Sequence, residues 1–325
     1  MKTKINKNVK KNNKRLTNKK KYKIRNWREY NDALVRRGML DVYLAESAIN
    51  NWYAEPVNRP GAKTIYADST IKLVLQFGAV FGQKLRQTEG LVKSIFRLIN
   101  IDLLIPDFTT LSRRAGRIDI KLPKSRKEKL VLVADSTGLK VYGEGEWKVR
   151  MHGYSKHRTW RKIHLIISPD GEIRQAELTA NNVADSEMLP KILKAEDARI
   201  EKFIGDGGYD KLAVYQACRK QRVRKIVIPP QHNAKIRQHG NCLASPHPRD
   251  ENIRMIRKSS RKKWKEKTGY HLRSLAETAM FRLKTIFGDK LNARNFQNQK
   301  TEIMIKLSLL NQMRGLGMPD SYAVA

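Results

Sequence analysis

Residues 129–137 read KLVLVADST, and this stretch decides the class of fold that the chain adopts. An apolar run of this length, rich in branched aliphatic residues, is typical of a short buried β-strand. Asp135 stands where the run stops, so the strand delivers a carboxylate to its edge. The segment KFIGD at 202–206 repeats the pattern with Asp206. Two strands of an α/β sheet are therefore predicted, each ending in an acidic side chain where such sheets bind ligands.

Further strands and helices are predicted around these two. We expect strands over 160–168, 172–179 and 225–230, helices over 185–193 and 211–220, and a turn at Pro169-Asp170-Gly171. Strand, crossover helix and strand in succession imply a mixed sheet with parallel members, flanked by helices. Residues 231–262 lack periodicity and are predicted to form an irregular insertion, after which helices over 270–287 and 297–313 finish the chain.

The charge balance indicates a polyanionic partner. The 325 residues include 67 Lys and Arg against 31 Asp and Glu, a net charge of +36, which makes nucleic acid the leading candidate. Residues 1–25 are basic without any acid and are predicted to be a disordered arm that contacts phosphates or, alternatively, is only a solvated tail. No stretch suits a membrane span or signal peptide, and two cysteines suit a reducing compartment, so we expect a cytoplasmic protein.

The N-terminal part of the chain has helical periodicity. Helices are predicted over 27–37, 69–82 and 85–99, followed by one that Asp107 can cap. This last helix carries Arg113 and Arg114 and resembles the recognition helix of a helix-turn-helix, although an ordinary amphipathic helix with a solvated basic face is equally compatible. We expect a small all-α DNA-binding region over 26–120 before an α/β domain over 121–325.

The predicted helix over 270–287 concentrates polar residues on one face. At about 100° per residue, Tyr270, Arg273, Glu277 and Lys284 fall within a narrow sector opposite the apolar side chains. Taken alone, such a stripe is most often a solvent-exposed face with charges at helical spacing. Two aspartates and a glutamate brought together would repel one another unless cations held them, and hard divalent cations prefer oxygen ligands. A pair of such ions supports phosphoryl transfer, in which Arg273 and Lys284 would face phosphates.

Three groups of residues together resemble the DDE transposases of bacterial insertion sequences, and more narrowly the insertion-sequence-five type with a Tyr-Arg-Glu-Lys signature. They are Asp135-Ser136-Thr137, Asp206-x-Gly208-Tyr209 and Tyr270-x₂-Arg273-x₃-Glu277-x₆-Lys284. The resemblance extends to Trp27-Arg28-x-Tyr30-Asn31, Arg37-Gly38, the segment PDFTTLSRR at 106–114, and Lys162-x-His164.

The resemblance implies an RNase H-like catalytic domain in which Asp135, Asp206 and Glu277 are catalytic and bind Mg²⁺ or Mn²⁺. Tyr270, Arg273 and Lys284 would contact DNA near the cut. Arg113 and Arg114 are expected to contact DNA as part of the helix that resembles a recognition helix. The implied partners are double-stranded DNA, as terminal inverted repeats and as target, and further copies of the chain in a homo-oligomer on DNA in the nucleoid. The freed 3′-hydroxyls of the element would be joined to the target.

Several alternatives stay open at this point. Asp185 and Asp210 compete with Asp206 as the second acidic ligand, although Asp210 is expected to cap the next helix. His164 could contact substrate, but a structural histidine is favoured. For the whole chain, the alternatives are a nuclease of the same fold that does not transfer strands, and a DNA-binding regulator whose acidic residues are structural.

Overall fold

A computed structural model describes residues 21–44, 46–56, 64–122, 129–141, 160–196, 198–238 and 245–324. The predicted arm up to residue 20 and the connector residues 123–128 lie outside the described residues. Among the residues that the structure describes, no helix combines the length and apolar character needed to cross a membrane.

The sheet is mixed, as predicted, and is built on one long strand. The strands are β2 Leu130–Val141, β3 Trp160–Ile167, β4 Ile173–Ala180, β5 Ile200–Ile204, β6 Lys225–Val227 and β7 Lys290–Leu291. Their order in the sheet is β4-β3-β2-β5-β6, with β7 pairing the far end of β2. Strands β3 and β4 run antiparallel to their neighbours, whereas β5, β6 and β7 are parallel to the strands they pair with.

The described helices fall before, between and after the strands of this sheet. The first group is α1 Trp27–Arg36, α2 Glu46–Asn50, α3 Asp68–Val80, α4 Leu85–Leu98 and α5 Phe108–Ala115. The second group is α6 Asp185–Lys194, α7 Leu212–Lys220, α8 Pro248–Lys258, α9 Arg261–Thr268, α10 Ser274–Phe287 and α11 Phe296–Leu316. Three-residue and four-residue 3₁₀ turns lie at Gly207–Tyr209 and Tyr270–Arg273.

Alternation along β2 divides the core into two layers. Val133 belongs to the layer that includes α10 and α11, whereas Leu132 and Ala134 belong to the layer with α6 and α7. A fully buried Val or Leu side chain contributes about 1.5–3 kcal/mol relative to an exposed one. Both faces of the sheet are therefore covered, which leaves the sheet ends as the place for polar side chains.

Helix α11 links the sheet to the N-terminal helices. Its Ile303 and Leu307 pack in the sheet core, while Ile305 and Leu309 pack against α3, α4 and α5. The middle of α11 is therefore buried on several sides, and its buried residues include the polar side chains of Lys306 and Ser308. Residues 26–120 thus share a core with the end of the segment 121–325, although the sequence pattern predicts two separate regions.

Two sequence predictions about organisation are wrong in part. The sequence predicts a disordered arm to residue 25, yet Lys21–Ile24 form β1, antiparallel to β8 at Ser321–Val324. That strand depends on partners about 300 residues away, which local composition does not reveal. The sequence also predicts an irregular insertion over 231–262, yet this segment contains α8 and the start of α9. Each of these helices buries a single apolar side chain, Ile253 in α8 and Trp264 in α9, so the apolar pattern by which a helix is recognised in a sequence is weak.

Candidate active site

Asp135 lies within β2 rather than at its end, which corrects the sequence prediction. Strand β2 continues to Val141, and Asp135 pairs with Leu165 of β3. On the other side, the parallel pairing with β5 ends at Val133 and Ile204. Asp135 is therefore placed at a break in the sheet because its neighbour stops, and its side chain is 13% exposed.

Asp206 follows the end of β5, two residues beyond Ile204, just as Asp135 lies two residues beyond Val133. Its Oδ1 accepts a hydrogen bond from the backbone N–H of Gly208 at 2.8 Å and so caps the turn Gly207–Tyr209. A Cβ at Gly208 would lie 3.0 Å from that oxygen, so glycine allows the close approach. The parallel register thus places the two aspartates at the same level, just beyond the point where β5 ends.

Glu277 and Arg273 lie in the segment that packs across β2. Nη1 of Arg273 donates to Oδ2 of Asp135 at 3.2 Å, and its Nη2 donates to Oε1 of Glu277. The predicted single helix over 270–287 is wrong here, since Tyr270–Arg273 form a 3₁₀ turn and α10 begins at Ser274. Glu277 nevertheless lies in the first turn of α10, where Arg273 bridges it to Asp135.

Lys284 and Tyr270 occupy different surroundings. Nζ of Lys284 donates to Oγ1 of Thr137 at 2.7 Å, two residues along β2 from Asp135. The Tyr270 ring lies 5.4 Å from the ring of buried Trp264 and beneath the Lys265 ammonium. Lys284 therefore faces the site across β2, whereas Tyr270 packs at its border.

The three carboxylates act on one another electrostatically. Burial raises the pKa of Asp135, and the negative charges of Asp206 and Glu277 raise it further, against the lowering effects of the Ser136 N–H and Arg273. The pKa of buried Tyr209 is also raised, first by burial and then by nearby carboxylates that include Asp135 and Asp206. Negative charge is thus concentrated at this end of the sheet, with Arg273 as its cationic contact.

The donor set suits a hard divalent cation in chemical kind. Carboxylate oxygens from β2, the turn after β5 and α10 converge on one region, and such ions prefer oxygen ligands. As the side chains stand, no group of three or more His, Cys, Asp or Glu residues in the described ranges is arranged to hold a metal. Between Asp135 and Glu277 the positive charge is supplied by the guanidinium of Arg273.

The competing aspartates have other partners. Oδ1 of Asp185 lies 3.0 Å from Nζ of Lys162 and 3.0 Å from Nδ1 of buried His164. Burial raises the pKa of Asp185, but its polar contacts with His164, Ser136 and Lys162 outweigh it and hold the pKa at about 2. The sequence does not indicate this network, although the spacing of Lys162 and His164 puts both on one face of β3. Nε2 of His164 also lies 2.9 Å from Oγ1 of Thr179, which accords with a structural histidine.

Asp210 does not cap the next helix, contrary to the prediction. The residue before α7 is Lys211, with no side-chain cap. Buried Asp210 instead accepts hydrogen bonds at 3.0 Å from Tyr215 and from Arg249 of α8. Its carboxylate therefore ties the insertion to α7.

The basic residues of α5 divide into two environments. The predicted cap is confirmed, since Asp107 accepts from the N–H groups of Thr109 and Thr110 at 2.8 and 3.0 Å. Arg114 is paired with Asp68 at 2.6 Å and also donates to the carbonyl of Tyr66. Arg113 is exposed. Of the two arginines, only Arg113 presents its side chain to solvent without an ion pair among the described residues.

Most of the chain is similar to known protein domains. Two family models, each described as a transposase DDE domain, match residues 35–144 and 126–312, the second alone covering more than half of the chain. A solved structure, the Drosophila P element transposase strand transfer complex, is similar at 12% identity with a TM-score of 0.29. The match covers 62% of this chain and 47% of that one, so the chain spans about half the length of that transposase.

Proposed function

The chain belongs to the transposase DDE domain family, and from that premise we propose that it is a metal-dependent DNA transposase. It would cut DNA at the ends of its own mobile element and join the freed 3′-hydroxyls to target DNA. The observation that carries the proposal is the bridge from Arg273 to both Asp135 and Glu277, beside Asp206. Carboxylates from three elements repel one another when they are brought together. A site with only a structural role does not require this unfavourable electrostatic energy.

The proposal extends to the type of transposase. The spacing of Tyr270, Arg273, Glu277 and Lys284 supports the insertion-sequence-five type, and the sheet order supports an RNase H-like catalytic domain. Asp135, Asp206 and Glu277 would hold Mg²⁺ or Mn²⁺. When bound, a pair of such ions activates the attacking oxygen and stabilises the leaving oxygen in phosphoryl transfer.

The basic side chains at the site would handle the phosphate. Arg273 would exchange a carboxylate partner for the scissile phosphate, since its planar guanidinium can donate two parallel hydrogen bonds to phosphate oxygens. Lys284, held by Thr137 on β2, would contribute a point charge nearby. Tyr270 packs against Trp264 and would limit where the DNA strand can lie at the site.

Other parts of the chain would bind the element. The helical region 26–120 would recognise double-stranded DNA at the terminal inverted repeats, with Arg113 on the exposed side of α5. The net charge of +36 supports binding to DNA and a location in the nucleoid. A homo-oligomer would hold both ends of the element together.

The test is a cleavage assay with the full chain and labelled DNA that carries the ends of the element, supplied with Mg²⁺ or Mn²⁺. We expect cut ends and joined products, both lost in EDTA. Asp135→Asn, Asp206→Asn and Glu277→Gln should each abolish cutting while binding to the ends persists. Cutting without joining would indicate a nuclease instead, and binding without any cutting would indicate a regulator.

A further inference from the structure

The end of α8 and the whole of α9 form a strongly basic surface, which we call the α9 surface. Six basic side chains there are exposed: Arg257, Lys258, Lys262, Lys263, Lys265 and Lys267. Glu266 is the only acidic residue between positions 257 and 267. None of the six has an ion-pair partner within the described part of the chain, whereas Lys162, Lys191 and Lys300 elsewhere are paired with acids. Like charges at this density repel one another unless an anion neutralises them.

The buried side of α9 fixes the orientation of the α9 surface. Trp264 of α9 is fully buried in the core shared with α10, and its indole N–H donates to Oδ1 of Asn252 at 3.0 Å. Ser260 caps the start of the helix, and Gly269, with φ of 70°, ends it. The lysines therefore project from a short helix with a defined orientation.

The α9 surface adjoins the catalytic carboxylates. Gly269 leads directly into the turn Tyr270–Arg273, and the Lys265 ammonium lies 5.6 Å from the centre of the Tyr270 ring. A pocket of about 280 Å³ lies between them, lined by Lys265, Glu266, Tyr270, His271, Arg273 and Ser274. A polyanion lying along α9 would thus reach Arg273, which contacts Asp135 and Glu277.

We propose that the α9 surface binds the phosphate backbone of the DNA duplex that enters the active site. The inference rests on the proposed transposase function and adds a partner surface to it. Three of the six residues, Arg257, Lys258 and Lys262, lie in the segment 231–262 that the sequence predicts to be an irregular insertion. The other three follow it directly. The insertion would therefore help to hold the DNA substrate. Contacts of this kind bind the backbone without reading the base sequence.

The test measures binding rather than cutting. The full chain is titrated with a duplex of arbitrary sequence in EDTA, between about 50 and 200 mM salt, because the slope of log affinity against log salt reports how many phosphates the protein neutralises. The test variant replaces the four lysines of the α9 surface that lie on α9: Lys262→Gln, Lys263→Gln, Lys265→Gln and Lys267→Gln. We expect its slope to fall by about 1.8 to 3.6, since each phosphate that is no longer neutralised lowers the slope by about 0.9 and two to four phosphates are involved.

A matched control removes the same charge from the opposite face of the sheet. It carries Lys194→Gln, Lys211→Gln, Arg219→Gln and Lys220→Gln, all at exposed positions on or beside α6 and α7. Its slope should stay close to that of the unaltered chain, and a version with the four α9 lysines changed to arginine should also keep its slope. Thermal unfolding verifies that each variant is folded.

The outcomes are separable from those of the proposed function. An unchanged slope in the test variant overturns the inference, and so does an equal fall in test and control variants, which would reflect net charge alone. A fall confined to the test variant supports the surface. If the chain then fails to cut any DNA, the proposed function fails while the α9 surface stands as a DNA contact.

Discussion

Replacing Arg273 by Gln perturbs the electrostatic centre of the site directly. The change removes the cation that lies 3.2 Å from Asp135 and also bridges to Glu277. The side chains of Asp135 and Arg273 are 13% and 26% exposed, so their pair lies between the buried and surface classes. Breaking buried pairs costs about 3–5 kcal/mol, and exposed pairs contribute about 0–1 kcal/mol.

We therefore expect Arg273→Gln to lower the free energy of unfolding by about 2 kcal/mol in metal-free buffer. For a chain of 325 residues, the unfolding entropy is about 0.7 kcal/mol per kelvin, which makes the shift in Tm about 3 °C. The control is Arg224→Gln, because Arg224 is 73% exposed in its pair with Glu201. That exposed pair should cost no more than about 0.5 kcal/mol.

Adding Mg²⁺ should then distinguish the variant from the unaltered chain. If the ion must displace Arg273 from the carboxylates, the pairing energy of about 2 kcal/mol weakens its apparent affinity for the unaltered chain about 30-fold. The Tm of the variant should therefore rise at lower Mg²⁺ concentration than that of the unaltered chain. Thermal unfolding across a Mg²⁺ titration measures both effects. Equal stability without metal, or superimposable Mg²⁺ responses, would refute the reasoning.

Three further predictions concern other parts of the chain. Lys284→Met removes the 2.7 Å hydrogen bond to Thr137 and should slow cleavage by at least about tenfold with little loss of DNA affinity, so normal cutting would return Lys284 to a surface role. Asp107→Ala should lower the unfolding free energy, measured with urea, by about 1 kcal/mol, and Asp107→Asn by only a few tenths of that. Hydrogen bonds from Thr109 and Thr110 hold the pKa of Asp107 below its usual range, so this stabilisation should be present above about pH 4 and be lost as the pH falls further. Deleting residues 2–20, which leaves β1 intact, should reduce the salt slope of DNA binding by about 0.9 for each phosphate that the arm neutralises, and an unchanged slope would make the arm a solvated tail.

The local sequence pattern was sufficient to predict most strands of the sheet. The apolar runs at 130–134 and 202–204 are strands, and the predicted helix after Asp107 begins where its carboxylate caps the backbone. These features depend on neighbours a few residues away, which a sequence displays directly. The transposase family is confirmed by the matches to the DDE domain models.

Elements that depend on distant partners escape prediction from local pattern. Strand β1 exists because residues 321–324 lie beside it, and the hydrogen bonds of Arg37 and Asn26 to the C-terminal segment hold that arrangement. Helices α8 and α9 are stabilised by a few buried anchors, among them Trp264 and Asn252, rather than by a continuous apolar face. Neither kind of stabilisation produces a periodic signal.

The sequence by itself determined the composition of the candidate site: two aspartates after apolar runs, and Arg273, Glu277 and Lys284 at a spacing that helps to define a family. Tertiary structure decided which of these groups meet. Arg273 and Asp135 are 138 residues apart and touch because α10 packs across β2, while β5 ends in register beside Asp135. Tertiary structure also assigned Asp185 to His164 and Lys162, so that its carboxylate is paired with β3. Contacts of this kind depend on strand register and helix docking, which are set by the packing of the whole core rather than by any local run of residues.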